Sequence, residues 1–233
     1  MHDCFGDVDR VPALLERVER EDDAEAWQEL GYRLCLENDL VSPVSFAALP
    51  HLVRLASGDS RARVLAGTIV RCAGGHGYDE LLAGCAETIA EFGVLLDRHL
   101  RSRPTDYVVA FLDLLAAKGQ YHWSAGLDGF ADDSYHLACP HCDAEVTIAI
   151  GDYGRYSAIR DWNLGDIDRR DLRPAAPERL SGIGRWMYET ATRDGQEALA
   201  DGITHLLGDG ECPRCASVFN IADEYTFATC PGR

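Results

Sequence analysis

The sequence predicts a mainly α protein in two parts: an N-terminal series of helical hairpins, then a small α+β domain that carries a helical insertion. Three observations lead there. Apolar residues recur at three- and four-residue steps through residues 11–120, with almost no strand signal. Beyond residue 120 the pattern becomes mixed, with short β-branched runs set between loops. Four of the nine cysteines form two C-x-x-C pairs, one towards each end of that second part. A length of 233 residues fits two domains of ordinary size, and the change of texture places them at 1–128 and 129–233.

The first part reads as helices over about residues 11–20, 24–37, 45–57, 60–73, 78–101 and 105–118. The clearest is 78–101, where Leu82, Cys85, Ile89, Phe92, Leu96 and His99 share one face. Asp22 and Asp23, Ser42 before Pro43, Asp59 with Ser60, and Thr105 after Pro104 are start signals, while Gly58, Gly74 and Gly119 suit helix ends. Residues 122–133 read as a connector rich in Gly, Asp and aromatic residues. A strand over 145–150, a polar loop, helices over 178–193 and 196–207 and a last strand over 217–221 complete the reading.

Two helix pairs look alike. Val11-Pro12-Ala13-Leu14-Leu15-Glu16-Arg17-Val18 and the helix after it are echoed 38 positions on by Leu49-Pro50-His51-Leu52-Val53-Arg54-Leu55-Ala56 and its own successor. Units of this size cannot bury their apolar faces alone and stack to do so. On these residues, and on the phrase Val44-Ser45-Phe46-Ala47-Ala48-Leu49-Pro50-His51-Leu52-Val53, the first half resembles the HEAT/armadillo class, particularly bacterial HEAT-like proteins. The resemblance implies an α-solenoid that binds other proteins, and its bacterial members include candidates associated with toxin–immunity systems. A non-repeating helical bundle is the other arrangement that the pattern allows.

Cys139-Pro140-His141-Cys142 and Cys212-Pro213-Arg214-Cys215 carry the chemistry. Two C-x-x-C turns can present four thiolates at the corners of a tetrahedron, the geometry that structural zinc prefers. A shift of 73 residues overlays Cys139 on Cys212, Cys142 on Cys215, Val146 on Phe219 and Ile148 on Ile221. Each knuckle thus leads into a strand, and the second half resembles a zinc ribbon. The resemblance implies one structural Zn2+ on Cys139, Cys142, Cys212 and Cys215. Asp143 and Ala216 stand where many ribbons have Gly, so each turn must accept a Cβ. The separation exceeds the usual one, so the segment between must loop out as a helical insertion. An iron or iron–sulfur site, a zinc site from one pair with His136 or His141, and a redox C-P-H-C motif compete with this reading. The redox motif needs a helix after it, whereas residues 144–150 alternate like a strand. Cys35, Cys72 and Cys85 lie in apolar helical patterns as small buried groups, and Cys4 and Cys230 lie near the ends.

Charge and motifs bound the function. Lys and Arg total 22 against 39 Asp and Glu, a net charge of -17, which opposes wholesale binding to phosphate backbones and favours a basic protein partner. Arg155, Arg160, Arg169, Arg170 and Arg173 offer at most a local basic strip. No apolar run is long enough for a membrane span, and the first ten residues are acidic, unlike a signal peptide, so a cytoplasmic location is expected. There is no H-E-x-x-H, no G-x-S-x-G and no phosphate loop, and the sole lysine is Lys118. Tyr153, Arg155, Tyr156, Arg160 and Trp162 interleave rings with cations and form the best recognition surface on offer. The expected function is therefore a non-enzymatic adaptor or scaffold, with an immunity- or antitoxin-type inhibitor as its specific form. A thiol- or metal-dependent enzyme using an exposed C-x-x-C pair is the alternative.

Overall fold

The structure, a computed structural model, describes residues 9–21, 23–36, 40–74, 77–130, 134–159 and 168–228. The expectations placed on Cys4, Asp22, Arg160, Trp162 and Cys230, and on residues 131–133 of the connector, lie outside the described residues. The chain divides into two units, Met1–Ala125 and Gly126–Arg233, and is mainly helical with a small antiparallel sheet. Among the described residues, no helix is long and apolar enough to cross a membrane.

In the first unit α1 (Arg10–Arg20) pairs with α2 (Ala24–Leu34). A minimal hairpin, β1 (Cys35–Leu36) with β2 (Leu40–Val41), leads to α3 (Pro43–Leu55), which packs on α4 (Ser60–Ala73). A short α5 (Asp79–Gly84) precedes α6 (Ala86–Arg101), which packs on α7 (Tyr107–Ala117), and α8 (Tyr121–Gly126) follows. The starts have visible causes: Asp23 accepts from the Ala26 N–H at 2.9 Å and Asp59 from the Arg61 N–H at 2.8 Å. Helices α1, α3 and α6 neighbour one another in turn, as do α2, α4 and α7, so the hairpins form two layers. Between them lie Leu30, Leu49, Leu52, Ile69, Phe92, Leu96 and Phe111, all fully buried.

Three elements differ from the sequence reading. The helix expected over 78–101 is broken at Cys85, which leaves helical geometry with φ -105° and ψ 11°. Pro50 supplies part of the reason. Lacking an N–H, it leaves the Phe46 carbonyl without its partner one turn on, and that oxygen accepts from the Cys85 thiol at 3.5 Å. The helix expected over 24–37 stops at Leu34, because Cys35 and Leu36 turn extended to pair with Val41 and Leu40. The connector expected over 122–133 is helical through Phe130, as α8 and then a 3-10 turn, Leu127–Phe130.

Asp113, which interrupts the apolar run of α7, is buried at 3% exposure against α4. Gly67 admits it, since a Cβ there would overlap the carboxylate. Arg71 Nε lies 3.5 Å from Oδ1, yet burial dominates and pushes the carboxyl up to about 7.

The second unit is built on β3 (Ser134–Ala138), β4 (Glu145–Gly151), β5 (Gly154–Ala158) and β6 (Arg170–Asp171), an antiparallel sheet in that order. Helices α9 (Gly182–Arg193) and α10 (Glu197–Leu206) pack together, and a second hairpin, β7 (Asp209–Glu211) with β8 (Val218–Asn220), runs into α11 (Ile221–Ala228). Strand β4 is buried on both faces, from Val146 to Ile150, because α10 packs on it; Gly202 makes room there for Phe130 and Ile150. Alternation in the sequence reads only one buried face. The final strand ends at Asn220, so Ile221, expected in it, opens a helix.

Candidate metal centre

Each C-x-x-C pair sits at the tip of an antiparallel hairpin, and the two hairpins repeat one another bond for bond. In the first, Leu137 pairs with Val146 and Ala138 with Glu145; in the second, Gly210 pairs with Phe219 and Glu211 with Val218. Both registers differ by the same 73 positions that the sequence overlay found. The turns agree too. Cys139 N–H donates to Ala144 O at 2.8 Å and Asp143 N–H to Cys139 O at 2.9 Å, while Cys212 N–H donates to Ser217 O at 2.9 Å and Ala216 N–H to Cys212 O at 2.8 Å. Asp143 and Ala216 take φ of 56° and 59°, the left-handed conformation that glycine adopts freely and an L-residue only at a cost. The turn therefore does accept a Cβ, twice.

This duplication brings four sulfurs from distant stretches of chain to one point. Those of Cys139, Cys142, Cys212 and Cys215 all lie within 4.8 Å of one another. Across the knuckles, Cys139 Sγ is 3.7 Å from Cys215 Sγ and Cys142 Sγ is 3.8 Å from Cys212 Sγ. A tetrahedral site with metal–sulfur bonds of about 2.3 Å has sulfur–sulfur edges of about 3.8 Å. All four cysteines are free thiols rather than disulfides. The donor set fits a thiophilic cation.

The electrostatics show what a cation does here. The Ala144 N–H favours a thiolate at Cys142, but desolvation and hydrogen bonds with the other three sulfurs outweigh it and push that thiol up to about 12. The Ser217 side chain and N–H bring Cys215 down to about 6, and burial pushes Cys212 up. Four thiolates this close are stable together only around a positive charge, so an ion bound there would displace protons and be held more weakly as pH is lowered. Ser217 went unnoticed in the sequence; the 73-residue shift places it opposite Ala144 and is the signal that finds it.

Other predicted positions fare differently. His136 Nδ1 lies 3.3 Å from Thr147 Oγ1, His141 is exposed, and neither joins the cluster of sulfurs. Strand β4, not a helix, follows Cys142, so the redox C-P-H-C arrangement lacks its acidifying helix N-terminus. Of the expected recognition surface, Tyr153 and Arg155 are exposed and Tyr156 is buried. Tyr156 is buried at 5% exposure with the Arg169 guanidinium 4.2 Å from its ring centre, and Arg155 Nε donates to Asp201 at 2.6 Å; Tyr153 is exposed. Tyr156, Ser157 and Ala158 are all buried where β5 lies between β4 and β6, which the aromatic–cation interleaving does not reveal. Arg170 and Arg173 of the basic strip both pair with Glu211.

Fold and site together define a mainly helical protein with a four-cysteine candidate metal centre. No family model, no curated protein and no solved structure matches the chain.

Proposed function

We propose that this is a non-enzymatic, cytoplasmic protein-interaction protein, in which a HEAT-like helical stack is joined to a zinc-ribbon-like domain held shut by one structural Zn2+. The observation that carries the reading is the convergence of two superposable hairpins on four sulfurs within 4.8 Å. Cys139, Cys142, Cys212 and Cys215 would hold the ion. Four thiolate ligands leave no open position for water or substrate, so the chemistry supplied is a cross-link between hairpins and not a reaction. What supports the HEAT-like part is the two-layer order of α1, α3, α6 and α2, α4, α7.

A docking role is supported by a groove of about 570 Å3 between α2 and α4, lined by Trp27, Gly31, Tyr32, Val64, Leu65 and Thr68. Tyr32 and Val64, at 53% and 45% exposure, leave apolar area open there. The charge of -17 favours a basic partner, and inhibition of a basic protein, as by an antitoxin, is the specific form of the proposal. Metal analysis should return one zinc per chain, and the four ligand thiols should resist iodoacetamide until a chelator is added. Affinity capture from cytosol should then recover a basic protein, released by salt. Metal-free protein whose C-x-x-C thiols alkylate at once would instead support the thiol-enzyme alternative.

A further inference from the structure

The two knuckles match in backbone and differ in exposure. Cys139 and Cys212, the first cysteine of each, are at 2% and 0% exposure, and Cys142 is half-buried. Cys215 is exposed, within an exposed run over residues 214–216, and is the one exposed cysteine among those described. Elsewhere Cys35 is buried and Cys72 and Cys85 are half-buried. A small solute therefore meets the sulfur cluster at Cys215. Behind it, 3.7 Å away on the other hairpin, stands Cys139. A disulfide needs about 2.05 Å, a closure of about 1.7 Å that side-chain rotation can supply.

We propose that Cys215 is the peroxide-reactive sulfur of the centre and Cys139 its resolving partner, so that oxidation replaces the metal clamp by a disulfide across the knuckles and releases the ion. This rests on the metal reading above. The co-reactant is hydrogen peroxide. Cys215 thiolate attacks its O–O bond; the S–O bond forms, the O–O bond breaks, and the departing hydroxide takes a proton to become water. Cys139 thiolate then attacks the sulfenic sulfur; the S–S bond forms, the S–O bond breaks, and a second hydroxide is protonated. The two sulfurs lose two electrons and the peroxide gains them. Cys142 and Cys212 are left as two ligands of an original four, too few to retain the ion against a chelator.

The test uses the metal-loaded full chain, hydrogen peroxide, a chromogenic chelator and peptide mapping after denaturing alkylation. The expected result is a Cys139–Cys215 disulfide formed first, one ion released per disulfide, and recovery of both thiols with a dithiol reductant. Cys215→His keeps a fourth ligand that zinc accepts but removes the reactive sulfur, and should slow release at least tenfold. A first disulfide within one knuckle, equal release from Cys215→His, or an ion retained while Cys72 and Cys85 oxidise would each overturn the proposal. Should Cys215→His hold no ion, the disulfide map of the unaltered chain decides alone. Protein that never carried a metal overturns the metal reading itself, a different result from metal retained under peroxide.

Discussion

The two units solve the problem of cohesion with different materials. In the first, six main helices in hairpins bury long apolar rows, so that Phe92, Leu96, Leu100 and Phe111 lose all contact with water. In the second, the hairpin of β7 and β8 has only three residues in each strand. A two-stranded hairpin of that size is marginal in water by itself. It is seated by Ser157 Oγ donating to Glu211 O at 2.6 Å, by the bridge from Arg173 to Asp209, and by the sulfur cluster. Where this short hairpin has few apolar residues of its own, the chain has gathered sulfurs.

The contrast can be broken most severely at the sulfurs. Cys142→Ser or Cys212→Ser should abolish metal binding and forfeit on the order of 10 kcal/mol of clamp, melting the second unit while helical circular dichroism from the first persists. One equivalent of zinc retained by both variants would refute this. The reciprocal change is Phe92→Ala in the first unit, which should cost about 3–5 kcal/mol in chemical denaturation and leave the metal content untouched.

Acid and base should separate the units further. Asp113 has its folded pKa raised from 3.8 to about 7, so between these values the folded protein keeps a proton that the unfolded chain has released. Its penalty is absent below pH 4, grows as pH rises, and is complete above pH 7, with a limiting slope of about 1.4 kcal/mol per pH unit. Asp113→Asn should flatten that fall in denaturation curves of the first unit. An ion held by the four sulfurs would run the opposite way, lost as protons compete for sulfur at low pH. Both units weakening together on acidification would erase the distinction. The smallest effect belongs to Asp23→Ala, which removes the cap on Ala26 and should cost about 1 kcal/mol with no change in metal.

Most helix positions of the first unit and the clustering of the four sulfurs were legible because each depends on local spacing. The start and end at Ser60 and Ala73 follow from Asp59 and from apolar periodicity, and the knuckles follow from C-x-x-C and a 73-residue echo. The break at Cys85 was not, since it involves a carbonyl freed by Pro50, thirty-five positions earlier. Strands β3 and β5 were missed because Ser134–Ala138 and Gly154–Ala158 lack a sustained β-branched run and gain their partner only when β4 lies between them. The inward turn of Tyr156 is a matter of register, which no composition reveals.

Asp143 and Ala216 hold the left-handed geometry with side chains that resist it, by about 1–2 kcal/mol each. On the metal reading proposed above, that strain is a cost which an ion held by the four sulfurs would offset. The second unit's hold on its shape would then follow the supply of that element, rationed chain by chain.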